Sequence, residues 1–172
     1  AAKSKPNPNL RSGKYYHRML AATIIETEQW EKAKKLVPPE GWEPKTFSKA
    51  GYNFVLGYAA AIQGDDEAKK YATELKEIQE KGFRKNHFSR PEYLEVWKLE
   101  IETAMKLYEK NYEAAIQLAK QATLVEEKLP SPSGPPRILK PTYELLGEVY
   151  LKAGKPKKAK EQFNISLTRH PN

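Results

Sequence analysis

The residues that could carry chemistry in this chain are few, and their spacing does not match a catalytic or metal-binding pattern. The sequence has 172 residues, three histidines and no cysteine. Without cysteine, the chain cannot form a disulfide framework, a zinc-thiolate site or a cysteine nucleophile. None of the histidines, His17, His87 and His170, has another histidine, aspartate or glutamate at a spacing typical of a metal site. We therefore expect no metal site.

Hydroxyl and carboxylate side chains also lack the neighbours that catalysis requires. Ser131 and Ser133 lie in a proline-rich segment with no nearby base, so the pattern does not favour a catalytic triad. Acidic neighbours such as Glu126 and Glu127 are typical of a solvated helix face, and the glycines form no phosphate-binding loop. We predict that the protein is not an enzyme and uses no cofactor, and no small-molecule substrate is indicated.

The composition favours a helical protein with much exposed, basic surface. Hydrophobic residues make up 39% and charged residues 30%, and the formal net charge is +8. No apolar stretch approaches the roughly 20 residues of a membrane span. The lysine-rich stretch 152–160 could bind phosphates, so a nucleic acid or another acidic partner is a minor alternative. Its lysines point in several directions, however, so a solvated turn is the simpler interpretation and nucleic acid is the less favoured partner.

The elements that position these residues are clearest in residues 143–172. The first part of this stretch carries aromatic and small or apolar residues at steps of three and four, on one helix face: Tyr143, Leu146, Gly147 and Tyr150. Ala159 and Phe163 continue this spacing on a second helix, and Gly154 lies in the turn between the two. Pro171 ends the second helix because proline cannot continue the hydrogen-bond ladder. The pattern predicts a helical hairpin, closely packed at Gly147 and Ala159.

This hairpin resembles the tetratricopeptide repeat, in which W-x2-L-G-x2-Y precedes A-x3-F and then P. Tyr143 stands where Trp is usual and Ser166 where Ala is usual, and the other spacings fit. The resemblance implies an all-α fold of antiparallel helix hairpins, stacked as a right-handed solenoid of about four repeats. The hairpin is also similar to the C-terminal repeats of bacterial multi-repeat proteins whose role is unassigned.

The turn at Gly154 sets the register of the other repeats. Aligned on it, repeats begin near the following residues: Lys14, Ala50, Val96 and Lys140. The predicted repeats cover 14–45, 50–82, 90–128 and 140–172, and residues 1–13 are expected to form a basic linker or arm. In the second repeat, Asp65 is predicted to cap the second helix and Gly82 to end it. The third repeat is placed by its period, with a turn at Lys110 and Asn111.

Long connections are predicted between the repeats, at 38–45, 83–90 and 129–140. The resemblance implies connections of only a few residues, so these segments depart from the family pattern. Because stacked repeats place such segments along one edge, we regard that edge as a candidate functional region.

The resemblance also implies a binding surface, since the first helices of such repeats line a concave groove that holds a peptide or a partner helix. The residues implied to face the groove are Tyr15, Arg18, Phe54, Tyr58, Trp97, Glu100, Ile101, Glu144 and Glu148. An exposed strip of aromatic and apolar residues would be typical of a binding surface. Alternatively, the aromatic residues pack between repeats or are covered by a loop. A clamp for a C-terminal carboxylate is not expected, since only Arg18 is basic at the matching positions.

Two functional hypotheses follow from the resemblance. The first is a protein–protein interaction scaffold that holds a peptide or helix of a partner protein in the groove. The second is structural: the repeats end a larger solenoid or form a self-association module, with aromatic faces stacked on a neighbouring domain or another copy. Because the sequence does not begin with Met, we expect the chain to be processed or cut from a longer protein.

Overall fold

The computed structural model describes residues 11–36, 46–84, 90–130 and 137–169, and within these ranges the side chains of residues 11–18, 46–48 and 82–84 are not described. The described chain forms seven α-helices and one 3-10 helix, with no strand. The helices are, in chain order, α1 (Arg11–Thr27), the 3-10 helix (Trp30–Lys35), α2 (Thr46–Gln63), α3 (Glu67–Arg84), α4 (Glu92–Tyr108), α5 (Tyr112–Glu126), α6 (Thr142–Lys152) and α7 (Pro156–Arg169). The prediction of an all-α fold is confirmed for this part of the chain.

Consecutive helices pair as four hairpins. The first hairpin is α1 with the 3-10 helix, the second is α2 with α3, the third is α4 with α5, and the fourth is α6 with α7. The first helices of neighbouring hairpins also contact one another, as α1 with α2, α2 with α4, and α4 with α6. Within the described ranges, each helix contacts only helices of its own hairpin or of the adjoining one. The core is therefore built from contacts between nearest neighbours along the chain.

The first helix of every hairpin ends in the same turn. One residue in each turn has a left-handed backbone, with φ of 53° at Glu28, 72° at Gly64, 57° at Lys110 and 70° at Gly154. The amide of the next residue then donates to the carbonyl five positions back: Gln29 to Ile24 (3.2 Å), Asp65 to Ala60 (2.9 Å), Asn111 to Lys106 (2.9 Å) and Lys155 to Tyr150 (2.8 Å). This is the Schellman arrangement, which satisfies carbonyls at the helix end. The turns predicted at Gly64, Lys110 and Gly154 are confirmed.

The position seven residues before each left-handed residue holds a small, buried residue. The four residues are Ala21, Gly57, Thr103 and Gly147. A Cβ added to Gly57 would lie 2.7 Å from the Cβ of Tyr71 on α3. A Cβ added to Gly147 would lie 2.5 Å from the Phe163 ring on α7. The predicted close contact at Gly147 is therefore confirmed, and its nearest neighbour is the ring of Phe163.

The buried apolar residues form two clusters. The larger one fills the space among α1, the 3-10 helix, α2, α3 and α4, and it is rich in aromatic rings. The smaller one joins α5, α6 and α7 and consists mainly of aliphatic residues, among them Ile116, Leu145 and Val149. Helix α4 borders both clusters, since its Leu107 packs against the smaller one.

Side chains cap helices at two turns, and the cap predicted at Asp65 is confirmed. The Asp65 carboxylate accepts the amide of Glu67 at 3.1 Å, at the start of α3. The Asn111 side chain accepts the amide of Ala114 at 3.2 Å and caps α5. Each bond satisfies an amide that the helix itself leaves without a partner.

Two helix boundaries differ from the predictions. Helix α3 continues through Gly82 to Arg84. A glycine lowers helix stability by only about 1 kcal/mol, so it ends a helix only where the chain also turns away. Helix α1 begins at Arg11, so residues 11–13 belong to the helix rather than to the predicted arm.

Several predictions fall outside the described residues. These concern residues 1–10, the connections at 38–45, 85–89 and 131–136, the residues His87, Ser131, Ser133, His170 and Pro171, and the side chains of Tyr15, His17 and Arg18.

Candidate functional site

The aromatic residues implied to line the groove lie in the larger core cluster. Phe54, Tyr58 and Trp97 are buried, and so is Ile101. The Phe54 ring stacks on Trp97 with centroids 5.6 Å apart, and Tyr58 packs against Phe54 at 5.8 Å. These residues hold α2 against α4, as the packing interpretation of the sequence predicted. They do not form an exposed apolar strip, and the polar members of the set remain as candidates for contact with a partner.

Two of the polar members, Glu144 and Glu148, bind a lysine that the sequence did not mark as a site residue. The Lys140 Nζ donates to the Glu144 Oε1 at 2.7 Å and to the Glu148 Oε1 at 2.5 Å. The Lys140 side chain is only 8% exposed, whereas Glu144 is 42% and Glu148 35% exposed. The ammonium group of Lys140 is thus buried, whereas the carboxylates of Glu144 and Glu148 are partly exposed to solvent. We use the name acidic cluster for the following residues: Glu100, Glu126, Lys140, Glu144 and Glu148.

Glu126 fixes one wall of the acidic cluster. It is the last residue of α5, and its Oε2 accepts the amide of Thr142 at 3.0 Å and the Thr142 hydroxyl as well. Thr142 is the first residue of α6, so the carboxylate caps that helix from the preceding one. This contact joins α5 to α6 and places Glu126 at the buried side of the cluster.

Glu100 is the inner residue of the cluster. Its side chain on α4 is fully buried, and neither carboxylate oxygen has a hydrogen-bond partner. Burial raises the pKa of Glu100 well above its usual range, the charge of Glu126 raises it further, and the charge of Lys140 opposes the shift. Burial therefore disfavours the charged form of this carboxyl.

Burial and mutual repulsion also shift the other groups of this region. Burial raises the pKa of Glu148, Lys140 opposes this shift, and Glu144 and Glu28 add to it. Burial disfavours the charge on Lys140, but the attraction and hydrogen bonds of Glu148 and Glu144 outweigh it, so the pKa of Lys140 is raised. The region thus concentrates negative charge around one well-held ammonium group.

The hydroxyl of Tyr58 faces the same region from α2. Burial raises the pKa of Tyr58 well above its usual range, and the charges of Glu148, Glu100, Glu144 and Glu28 raise it further, in that order. Glu28 is the exposed, left-handed residue at the end of α1. Carboxylates from the turn after α1 and from helices α4 and α6 therefore act on the Tyr58 hydroxyl of α2.

The connection before α6 packs against α4 and the larger core cluster. The Arg137 guanidinium lies 5.2 Å from the centroid of the Tyr93 ring, near the start of α4. Ile138 is buried in the larger core cluster, and Leu139 packs against it. Residues 137–139 therefore pack on the start of α4 and on the larger core cluster. The spacing of Lys140, Glu144 and Glu148, one helical turn apart, was the signal that could have identified the lysine.

Other kinds of site receive no support from the described residues. No group of three or more histidine, aspartate or glutamate side chains among them is arranged to hold a metal ion. No described helix is long and apolar enough to cross a membrane. Comparisons of the chain with protein-family models, with curated proteins and with solved structures gave no match. The repeat pattern and the geometry of the acidic cluster are therefore the features from which a function can be inferred.

Proposed function

We propose that the protein is a non-catalytic helical-repeat scaffold that binds a peptide or helical segment of a protein partner. The binding surface is the face formed by the first helices, α1, α2, α4 and α6. The observation that carries this proposal is that the first helices contact one another in order, α1 with α2, α2 with α4 and α4 with α6, so that four hairpins share one face. A ligand laid across this face would contact several hairpins at once.

The repeat geometry supports a solenoid of the tetratricopeptide kind. The four hairpins share the left-handed turn and the small buried residue seven positions earlier. They also contact only their neighbours within the described chain. Repeated units joined in this way stack with a constant rotation and place their first helices on one curved face. In this proposal that face is the groove.

The character of the groove differs from the apolar strip expected from sequence. Its aromatic residues are buried between α2 and α4, and the groups that reach solvent are the carboxylates of Glu28, Glu144 and Glu148. The chain as a whole carries a formal charge of +8. A local negative surface on a basic protein selects its partners by charge complementarity.

A cysteine-labelling experiment tests the binding surface, because the chain has no cysteine of its own. Glu144→Cys places a single thiol on α6, and the matched control Glu113→Cys places one on the exposed side of α5. Peptides are selected from a displayed random library against the unmodified protein. A bulky maleimide on the thiol at position 144 should reduce their binding at least about tenfold, the loss expected for roughly 1.4 kcal/mol, and the same label at position 113 should leave it unchanged. Equal binding to both labelled proteins, or no selectable peptide, would contradict the proposal.

A specific observation favours end-to-end self-association as a second function. The third and fourth hairpins align from Lys110 to Gly154, so that Leu107 matches Leu151 and Thr123 matches Leu167. Leu107 packs against the smaller core cluster and Thr123 is buried, but Leu151 is 51% and Leu167 61% exposed. The outer side of the fourth hairpin thus presents apolar residues at positions that stacking covers inside the chain.

The outer side of the first hairpin also presents an exposed apolar residue. Met19 is 68% exposed, whereas the residues at the same position of the other hairpins, Val55, Ile101 and Leu145, are fully buried. We propose that a second copy of the chain covers these two sides, with α1 of one copy against the fourth hairpin of the next. Such a head-to-tail contact generates open chains of molecules rather than closed dimers.

Sedimentation measurements over a range of protein concentrations test this second function. The average mass should rise with concentration, and Leu151→Lys combined with Leu167→Lys should abolish the rise. Leu124→Lys is the control, since Leu124 is an exposed leucine on α5 whose counterpart in the fourth hairpin, Thr168, is already polar. A monomer at every concentration, or equal loss of association in the control, would refute it.

A further inference from the structure

We propose that end-to-end association of two copies is directed by ion pairing between Glu26, near the end of α1 in one copy, and Lys157 and Lys160, near the start of α7 in the next. This inference deepens the second function proposed above, self-association, and rests on it. It names the residues that fix the register and the direction of the contact between copies.

The contact between the third and fourth hairpins shows how one hairpin covers another in this chain. Glu126, at the end of α5, accepts the amide of Thr142, at the start of α6, at 3.0 Å. At the opposite end, Ile116 near the start of α5 shares the smaller core cluster with Val149 near the end of α6. Helices α5 and α6 are therefore antiparallel. A second copy that covered the fourth hairpin in the same way would place the end of its α1 beside the start of α7.

The exposed face of α7 is basic at its start and apolar at its end. We use the name open side of α7 for four exposed residues that recur at steps of three and four and so share one helix face: Lys157, Lys160, Asn164 and Leu167. When the third and fourth hairpins are aligned on their turn residues, Lys160 corresponds to Ile116 and Leu167 to Thr123. Both counterparts are buried. Lys160 and Leu167 therefore occupy positions that a further hairpin would cover.

The exposed face of α1 corresponds to the face with which α6 covers the third hairpin. We use the name open side of α1 for three exposed residues at helical spacing: Met19, Thr23 and Glu26. Aligned from Glu28 to Gly154, their counterparts on α6 are, in the same order, Leu145, Val149 and Lys152. The first two counterparts are fully buried in the smaller core cluster, and the third is exposed at its edge. The open side of α1 is therefore shaped by position to cover a hairpin, with Glu26 at the edge.

The two open sides have complementary charge. Residues 19–28 contain two acidic residues and no basic one, whereas residues 149–160 contain five lysines and no acidic residue. Within the described ranges, Glu26, Lys157 and Lys160 form no ion pair with another residue. Antiparallel docking brings these two segments together, so each supplies the charge that the other lacks. Such complementarity selects one register and suppresses others.

The length of the lysine side chain suits this arrangement. The four-carbon stem of Lys160 can take the place that Ile116 has inside the chain, while its ammonium group extends to the edge of the contact. Glu26 lies at that edge, one helical turn beyond Thr23. The same edge inside the chain also carries opposite charges, since Glu113 on α5 and Lys152 on α6 are the counterparts of Lys157 and Glu26 with the signs exchanged.

Sedimentation equilibrium of charge-reversed variants, alone and mixed, tests the pairing. Glu26→Lys places a cation against the lysines of the next copy, and Lys157→Glu combined with Lys160→Glu places carboxylates against Glu26. Each protein alone should associate at least about tenfold more weakly than the unmodified chain, because repulsion replaces attraction at the contact. An equimolar mixture of the two should associate again, since every contact between unlike molecules then joins opposite charges. A variant that had merely lost its fold would not be restored by mixing.

Exposed residues of α3 provide the matched controls. Glu77→Lys, and Lys69→Glu combined with Lys76→Glu, make the same changes in net charge on the second hairpin, away from both open sides. Each control should associate within about twofold of the unmodified chain, well below one factor of ten. Circular dichroism checks that every variant keeps its helical content.

The outcomes separate this inference from self-association itself. If the unmodified chain associates and Leu151→Lys with Leu167→Lys abolishes this, but neither charge reversal weakens it, self-association stands and the ion pairing falls. Charge-reversed variants that stay monomeric when mixed, or controls that are weakened equally, would also overturn the pairing. If the unmodified chain is a monomer at every concentration, both proposals fall.

Discussion

The third and fourth hairpins are two versions of one unit, and the same position has a different environment in each. Glu100 and Glu144 occupy equivalent positions ten residues before the left-handed turn residue. Glu100 is buried without a hydrogen-bond partner, whereas Glu144 is partly exposed and bound to Lys140. The third hairpin has neighbours on both sides, but the described chain covers the fourth on one side only. Residue type and position in the repeat therefore do not determine the burial and hydrogen bonding of this glutamate. The neighbouring hairpin determines them.

The largest expected difference between the two hairpins is in the pH dependence of stability. The folded chain holds the Glu100 pKa above the value of the unfolded chain, so the folded state binds more protons between those two values. Stability should therefore fall as pH rises through this window, by at most about 1.4 kcal/mol per pH unit for one proton. Glu100→Gln should remove this part of the slope, as measured by urea unfolding across the pH range. Glu144→Gln is the control, because it removes a carboxylate from the equivalent, partly exposed position, and the slope due to Glu100 should persist.

The second difference between the hairpins is the size of the two residues that pack together where the first helix contacts the second. The fourth hairpin has Gly147 on its first helix and Phe163 on its second, whereas the equivalent residues of the third are Thr103 and Ala119, both fully buried. Gly147→Thr should cost about 1–3 kcal/mol because the new Cβ would lie 2.5 Å from the Phe163 ring. The measurement is the free energy of unfolding, with hydrogen exchange expected to increase in α6 and α7 first.

A double-mutant cycle tests that interpretation. Combining Gly147→Thr with Phe163→Ala reproduces the residue pair of the third hairpin, so the cost of the threonine should largely disappear. If the cost of Gly147→Thr is the same with and without the Phe163 ring, the ring is not what limits the size of residue 147.

The repeat pattern made the turns predictable, but not the environment of the site. Glycine at 154 and at 64 signals a left-handed turn because glycine adopts that backbone without strain. Lys110 adopts the same backbone without that signal, and the period of the repeat was needed to place it. Burial of Phe54 and Trp97 depends on contacts between α2 and α4, which no local spacing records.

The role of Lys140 was also only partly predictable from the sequence. The sequence indicated Lys140 only as the start of a repeat. Its position against Glu144 and Glu148 follows from a local spacing of four residues, which was readable in principle. Its proximity to Glu100 is a contact between two hairpins and could not be read from one repeat alone.

The third difference lies in the left-handed residue of the turn itself. Lys110 has φ of 57° and Gly154 has φ of 70°. A side chain in this conformation costs roughly 1–2 kcal/mol. Lys110→Gly should therefore stabilise the chain by about 0.5–1 kcal/mol, after the greater flexibility of glycine in the unfolded chain is allowed for. Gly154→Ala should destabilise it by about 1 kcal/mol, since no neighbouring atom lies within 4 Å of the added Cβ and only the backbone conformation opposes it. Thermal unfolding of both variants checks the two signs, and a stabilising Gly154→Ala would show that the turn residue carries no strain.

The smallest expected effect concerns the residue after the turn. Asn111 caps α5 through a hydrogen bond from the amide of Ala114, whereas its counterpart before α7 is Lys155, whose side chain has no acceptor. Lys155→Asn should therefore add a cap to the fourth hairpin and stabilise it by about 0.5–1 kcal/mol. The reverse change, Asn111→Lys, should remove the cap of the third hairpin and lower stability by a similar amount. Because the left-handed turn residue precedes both positions, the backbone is already arranged for a cap at residue 155, and only the acceptor is missing.

Urea unfolding of the two variants measures the effect, and hydrogen exchange at the first amides of α7 locates it. Slower exchange should be confined to that turn, and a gain in stability without local protection there would mean that loss of a lysine charge, rather than capping, is responsible.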